Sequence, residues 1–87
     1  MGDCFLICHR GEYLVAMSEI PTGSGHYFPA WSLYKYDAAM IETADLAKKA
    51  ARQLARKIGG ECKVIAFNRF SGTTEEIYTT EMGKGRF

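Results

Sequence analysis

Three sets of residues in this sequence have the types that chemistry uses. They are Cys4, Cys8 and Cys62 with His9 and His26, the carboxylates Glu12, Glu75 and Glu76, and the segment Gly23-Ser24-Gly25-His26. Thiol and imidazole together point to zinc or to a cysteine nucleophile. Zinc needs four convergent ligands, usually with a short Cys-x2-4-Cys knuckle in a turn. Cys4 and Cys8 stand about 13 Å apart along an extended strand, too far for one ion to bridge. Adjacent strand residues face opposite sides, which separates Cys8 from His9. A Cys8–His26 pair would have to be assembled by the fold. The cysteine number is odd and no CxxC pair is present, so the expectation is buried, apolar thiols rather than a disulfide framework. The Gly23–His26 segment leads into Tyr-Phe-Pro rather than a helix and lacks the lysine of a P-loop, so it reads as a flexible loop. Glu75 and Glu76 are adjacent on a strand and point apart, while Glu12 beside His9 reads as a surface pair. No carboxylate dyad is legible. The expectation is a protein that is not an enzyme, with no metal and no cofactor.

Two sets suit contact rather than catalysis. Lys48, Lys49, Arg52, Arg56 and Lys57 put five of the eleven basic residues within ten positions. Such a face suits phosphates or an acidic protein surface. It also suits plain solvation, because Lys and Arg are good helix formers and cations near a helix C-terminus complement its dipole. Asp45 can pair with Lys49 at i,i+4. The second set is aromatic: Tyr27, Phe28, Trp31, Tyr34 and Tyr36 lie beside the Gly-rich loop. Aromatics there suit protein interfaces or base stacking, whereas Trp31 is more simply a core plug. The candidate partner-binding residues are therefore Lys48, Lys49, Arg52, Arg56, Lys57, His26, Tyr27 and Phe28.

Five strands and a helix must position these residues. Residues 4–8 and 13–17 are apolar runs around His9-Arg10-Gly11-Glu12. A two-residue turn at Arg10-Gly11 pairs Cys8 with Tyr13, Leu6 with Val15 and Cys4 with Met17. Residues 19–30 read as a loop, punctuated by Pro21, Gly23, Gly25 and Pro29. Residues 31–36 read as a third strand, with Trp31, Leu33 and Lys35 on one side. Residues 37–42 either continue it or begin a helical turn. Thr43 is an N-cap for a helix over 44–58, with Leu46, Ala50, Leu54 and Ile58 as its apolar stripe and Ala47 and Ala51 widening it. Gly59-Gly60 stops that helix. Residues 62–68 and 75–81 read as the fourth and fifth strands, joined by a turn at 71–74, the last strand polar enough to be an edge. The order β-β-β-α-β-β predicts an α+β fold: a five-stranded, mostly antiparallel sheet with one amphipathic helix packed on one face.

Composition fits one small globular domain spanning 1–87. The chain is 47% hydrophobic and 24% charged, too apolar for intrinsic disorder. A net charge of +1 commits the whole chain to no partner, so any electrostatic preference must be local. No apolar run approaches the roughly 18 residues of a membrane span, and neither a signal-peptide pattern nor a myristoylation motif is present. The expectation is a cytoplasmic protein without membrane contact.

The stretch ETADLAKKAARQLARKIGGECKVIAFNRFSGTTEEIY resembles, in architecture, small orphan proteins of phages and mobile elements, among them anti-CRISPR proteins built from strands, a cationic helix and a closing hairpin. It covers less than half of the chain and transfers no individual residue. The resemblance implies a compact protein that occupies another machine's binding surface. The plan is also similar to the arm-binding domains of tyrosine integrases, which place a three-stranded sheet in DNA; the acidic last strand departs from that plan. The reading reached is a non-catalytic binding module, a protein-protein inhibitor or accessory regulator, using the basic helix face and the aromatic loop against a larger acidic protein. The alternative is a nucleic-acid-binding accessory protein contacting DNA or RNA backbones. Residues 75–81 could pair with a second copy to form a homodimer.

Overall fold

The first two strands are joined by the turn that the sequence predicts. Arg10 and Gly11 have φ of 53° and 82°, the paired positive values of a I′ hairpin, whose twist matches the strands it joins. The structure, a computed structural model, describes residues 3–19 and 22–80, without the side chains of Glu19 and Tyr27. Within it, β1 (Cys4–His9), β2 (Glu12–Glu19), β3 (Tyr27–Ser32), α1 (Ala44–Ile58), β4 (Lys63–Phe67) and β5 (Thr74–Thr79) follow in chain order. The five strands form one antiparallel sheet in the order β3-β2-β1-β4-β5. The expected α+β class and element order hold. The part of the fifth strand expected at residue 81 and the tail beyond it lie outside the described residues.

The expected β1–β2 register holds only beside the turn, where Cys8 pairs with Tyr13 and His9 with Glu12. Beyond that point β2 diverges from β1. The chain between β3 and α1 fills the resulting fork. Ala39 donates its N–H to the Leu14 carbonyl on β2, and Ile41 exchanges two hydrogen bonds of 2.8 Å with Phe5 on β1. The Leu14 carbonyl and the Phe5 backbone groups, which Ile7–Leu14 and Phe5–Ala16 rungs of the expected register would have satisfied, find these partners instead.

The third strand lies four residues earlier than the sequence predicts. Residues 27–30, expected as loop, are strand, and 33–36 are not. Pro29 is tolerated because β3 is an edge, where a missing N–H costs no ladder bond. After Ser32 the chain makes a single 3-10 turn at Lys35–Asp37 and crosses the sheet face opposite the helix. There the Tyr36 ring meets Phe67 edge-on at 5.3 Å, and Lys35 Nζ donates to the Gly72 carbonyl at 2.8 Å.

Two apolar layers result. On the helix side Ile7, Leu14, Ala47, Ala51, Leu54, Cys62 and Val64 are buried together. On the other side Cys4, Leu6, Ala38 and Phe67 form a smaller cluster. α1 begins as expected, with Thr43 Oγ1 accepting from the Leu46 N–H at 3.2 Å. Its inward line is Ala47, Ala51 and Leu54; Leu46, expected in the stripe, is 58% exposed. Small alanines on that line let the helix axis come close to β1 and β4.

Candidate functional site

The helix spacing sorts the five cations into three directions. With Ala47, Ala51 and Leu54 inward, a rotation of about 100° per residue turns Lys49, Arg52 and Arg56 outward, and all three are exposed. Lys48 falls on the β5 flank, half-buried, with its Nζ 5.7 Å from the centre of the Tyr78 ring. Lys57 falls on the opposite flank, toward β2. The cations therefore make a ridge of three with one further charge on either shoulder.

That ridge is not neutralised within the described residues. The ion pairs there are Lys63–Glu76 at 3.6 Å and Arg69–Asp3 at 3.1 Å, and neither involves a helix residue. The Asp45–Lys49 pair that spacing allows is not among them. Unpaired cations on one exposed line keep their field available to an anionic partner.

The expected aromatic loop is largely a strand. Phe28 sits on β3 opposite Ser18 and is 52% exposed. Tyr27 pairs its backbone with Glu19, and its side chain lies outside the described residues. His26 is exposed just before β3, its N–H held by Ser24 Oγ at 3.1 Å. Because β2 has left β1 by this point, residues 16–18 of β2 and Phe28 and Ala30 of β3 stand exposed on a two-stranded arm. Trp31 belongs to the core: it is half-buried, packs on the helix-side cluster and stacks with His9 at 5.3 Å.

Sequence reasoning does not reach the feature that joins helix and arm. A bulge leaves Val15 without a partner between Leu14–Trp31 and Ala16–Ala30. An extra residue shifts the alternation of the strand, so Met17 joins Leu14 on the helix side. Leu14, Met17, Ala50, Gln53, Leu54 and Lys57 then line a groove of about 370 Å³. Of the candidate cations Lys57, and of the arm Met17, meet at this groove.

The residues with catalytic types are placed differently. Cys4 and Cys62 are buried and Cys8 is half-buried. Burial pushes all three thiols above their usual range, which keeps them protonated and poorly nucleophilic. For Cys8 the nearby Lys63 and the Gly11 N–H offset burial only in part. His9 stands opposite Glu12 in the β1–β2 ladder, but its ring bonds elsewhere. Its Nδ1 donates to the Glu61 carbonyl at 2.8 Å and stands 3.9 Å from the Cys62 sulfur, a neighbour the local sequence does not reveal. Glu76 is held below the usual carboxylate range by the Thr79 hydroxyl first and by Lys63. For Asp3 partial desolvation raises the pKa, but hydrogen bonds from Arg69 and its charge prevail and hold it low. Among the described residues no group of three His, Cys, Asp or Glu is placed to hold a metal ion. Nor is any helix there long and apolar enough to cross a membrane.

No protein-family model, curated protein or solved structure matches this chain.

Proposed function

We propose that this chain is a non-catalytic binding module, an inhibitor or accessory regulator that sets the cationic ridge of α1 and the β2–β3 arm against an acidic surface of a larger protein. The observation that carries this reading is the exposed line Lys49-Arg52-Arg56 without a carboxylate partner among the described residues. Two further features support it. The thiols are kept neutral by burial, and Asp3 and Glu76 are held ionised, the wrong state for a general acid. A protein partner is preferred to nucleic acid because the cations diverge over three directions rather than following one groove along a phosphate backbone.

The test uses the triple variant Lys49→Glu/Arg52→Glu/Arg56→Glu beside the native chain. Affinity capture from the source cell is expected to retain a specific protein on the native chain and to lose it on the variant. In parallel, labelled DNA and RNA are titrated at two salt concentrations, and the native chain is expected to bind neither tightly near 0.1 M salt. Submicromolar nucleic-acid binding that falls steeply with salt, and less steeply in the variant, would overturn the protein reading in favour of phosphate contact.

A further inference from the structure

Two large apolar side chains on the groove side of the molecule are not covered by the fold. Leu46 begins the flank of α1 that continues through Ala50, Gln53 and Lys57, residues that follow one another at i+4, i+7 and i+11, and it is 58% exposed. Across the groove, Met17 is 40% exposed. Both walls are apolar at their base, from Leu14, Ala50 and Leu54.

The charge that the described residues bring to the groove is positive. Among the described residues Lys57 is the charged residue of its lining, and no carboxylate lines it. The outward ridge of Lys49, Arg52 and Arg56 lies beside it on the same helix. Its volume of about 370 Å³ is near the lower end of the roughly 300–1,000 Å³ typical of ligand sites. A site of that size, open along a helix flank, suits a side-chain anchor. An aromatic or branched aliphatic side chain in such a pocket gains burial, and a flanking carboxylate meets a cation at the rim.

We propose that this groove is the docking site for an acidic peptide segment of the partner, one large apolar side chain entering between Met17 and Leu54 while neighbouring carboxylates meet Lys57 and the ridge. The proposal rests on the protein-binding reading above and names the segment that reading requires. Met17 covers the entering side chain on one side and Ala50 and Leu54 on the other, while Leu46, one turn before Ala50 on the same flank, extends the apolar surface beyond the groove. Methionine suits this work because its unbranched, polarisable chain adapts to varied anchors.

The probe is a displayed library of random peptides selected against the purified native chain, followed by affinity measurements with the enriched peptides. Enriched sequences are expected to combine one large apolar residue with flanking Asp or Glu. Met17→Ser removes apolar wall and Leu46→Ser the apolar surface next to it, neither changing charge. Met17→Ser is expected to weaken binding about tenfold or more, the scale of a lost interface anchor, and Leu46→Ser severalfold. Leu46 is exposed at the helix start, so its variant keeps the test valid if Met17→Ser lowers the unfolding midpoint. Lys57→Glu is expected to reduce affinity and its salt dependence together. If both serine variants bind acidic peptides as the native chain does, while Lys49→Glu/Arg52→Glu/Arg56→Glu abolishes binding, the groove proposal is overturned and the ridge reading survives. If no acidic peptide is enriched, or if neither groove nor ridge variants change binding, both fall.

Discussion

Among the described glycines, Gly60 is where an added Cβ would come closest to a neighbour, the His9 ring. A Cβ placed on Gly60 would stand 2.9 Å from His9 Cε1, and its φ of +86° already disfavours an L side chain. The imidazole cannot swing away cheaply, because Trp31 stacks on it and the Glu61 carbonyl holds Nδ1. Gly60→Ala is therefore expected to lose roughly 1–3 kcal/mol from backbone strain, with the clash added. A double-mutant cycle with His9→Ala, read from denaturant midpoints, is expected to give a coupling of about 0.5–3 kcal/mol; a coupling near zero would remove the clash from the account. Residues were legible in the sequence where the cause of their placement is local. Arg10-Gly11 turns the chain and Thr43 caps the helix as their types imply. His9 was not legible, because its partners Trp31, Gly60, Glu61 and Cys62 arrive from distant parts of the chain and turn an apparent surface residue into a half-buried joint.

α1 shows the same division at the level of an element. Its span of 44–58, its cap and its stop follow from apolar periodicity and from Thr43 and Gly59. The centre of its buried face does not. Leu46, Ala50, Leu54 and Ile58 were expected to lead it, with Ala47 and Ala51 widening the stripe; Leu54 is buried, but Leu46 is exposed and the line with no exposure at all is Ala47 and Ala51, because close approach to the sheet favours the smallest side chains. Ala51→Leu is accordingly expected to destabilise by about 1–3 kcal/mol despite the higher apolarity of leucine. In thermal melts each kcal/mol corresponds to about 4–8 °C for a domain of this size. A variant melting at or above the native temperature would show that the helix sits with room to spare. The strands were less legible than the helix. Pro29 and the glycines before it read as loop, and only the edge position of β3 makes a strand with proline acceptable. The groove was beyond local reasoning altogether, since it depends on the Val15 bulge that turns Met17 toward α1.

On the scale of the whole molecule, the sheet has a well-packed middle and a less supported wing. β1 and β4 are covered by α1 on one face and by the 3-10 turn and its flanks on the other, while the arm of residues 16–18 and 28–30 extends past the point where β2 leaves β1. Local opening costs least where few apolar contacts are lost. Hydrogen exchange is expected to be faster at the amides of residues 16–18 than at Leu6, Ile7, Val64 and Ile65; equal protection throughout would mean that the arm opens only with the whole sheet. The α+β class was legible because it follows from the order of elements. The fork between β1 and β2 was not, because its filling comes from residues 39–41, far along the chain. That filling bears on the order of assembly. A hairpin ordinarily zips from its turn outward using nearby residues alone, but here the zipper stops after Tyr13, and the next rungs wait for a segment more than twenty residues further on. The closing of the most local element in the protein is thus tied to a long loop closure, so a lesion at Ile41 would delay the sheet's completion although it lies outside every strand.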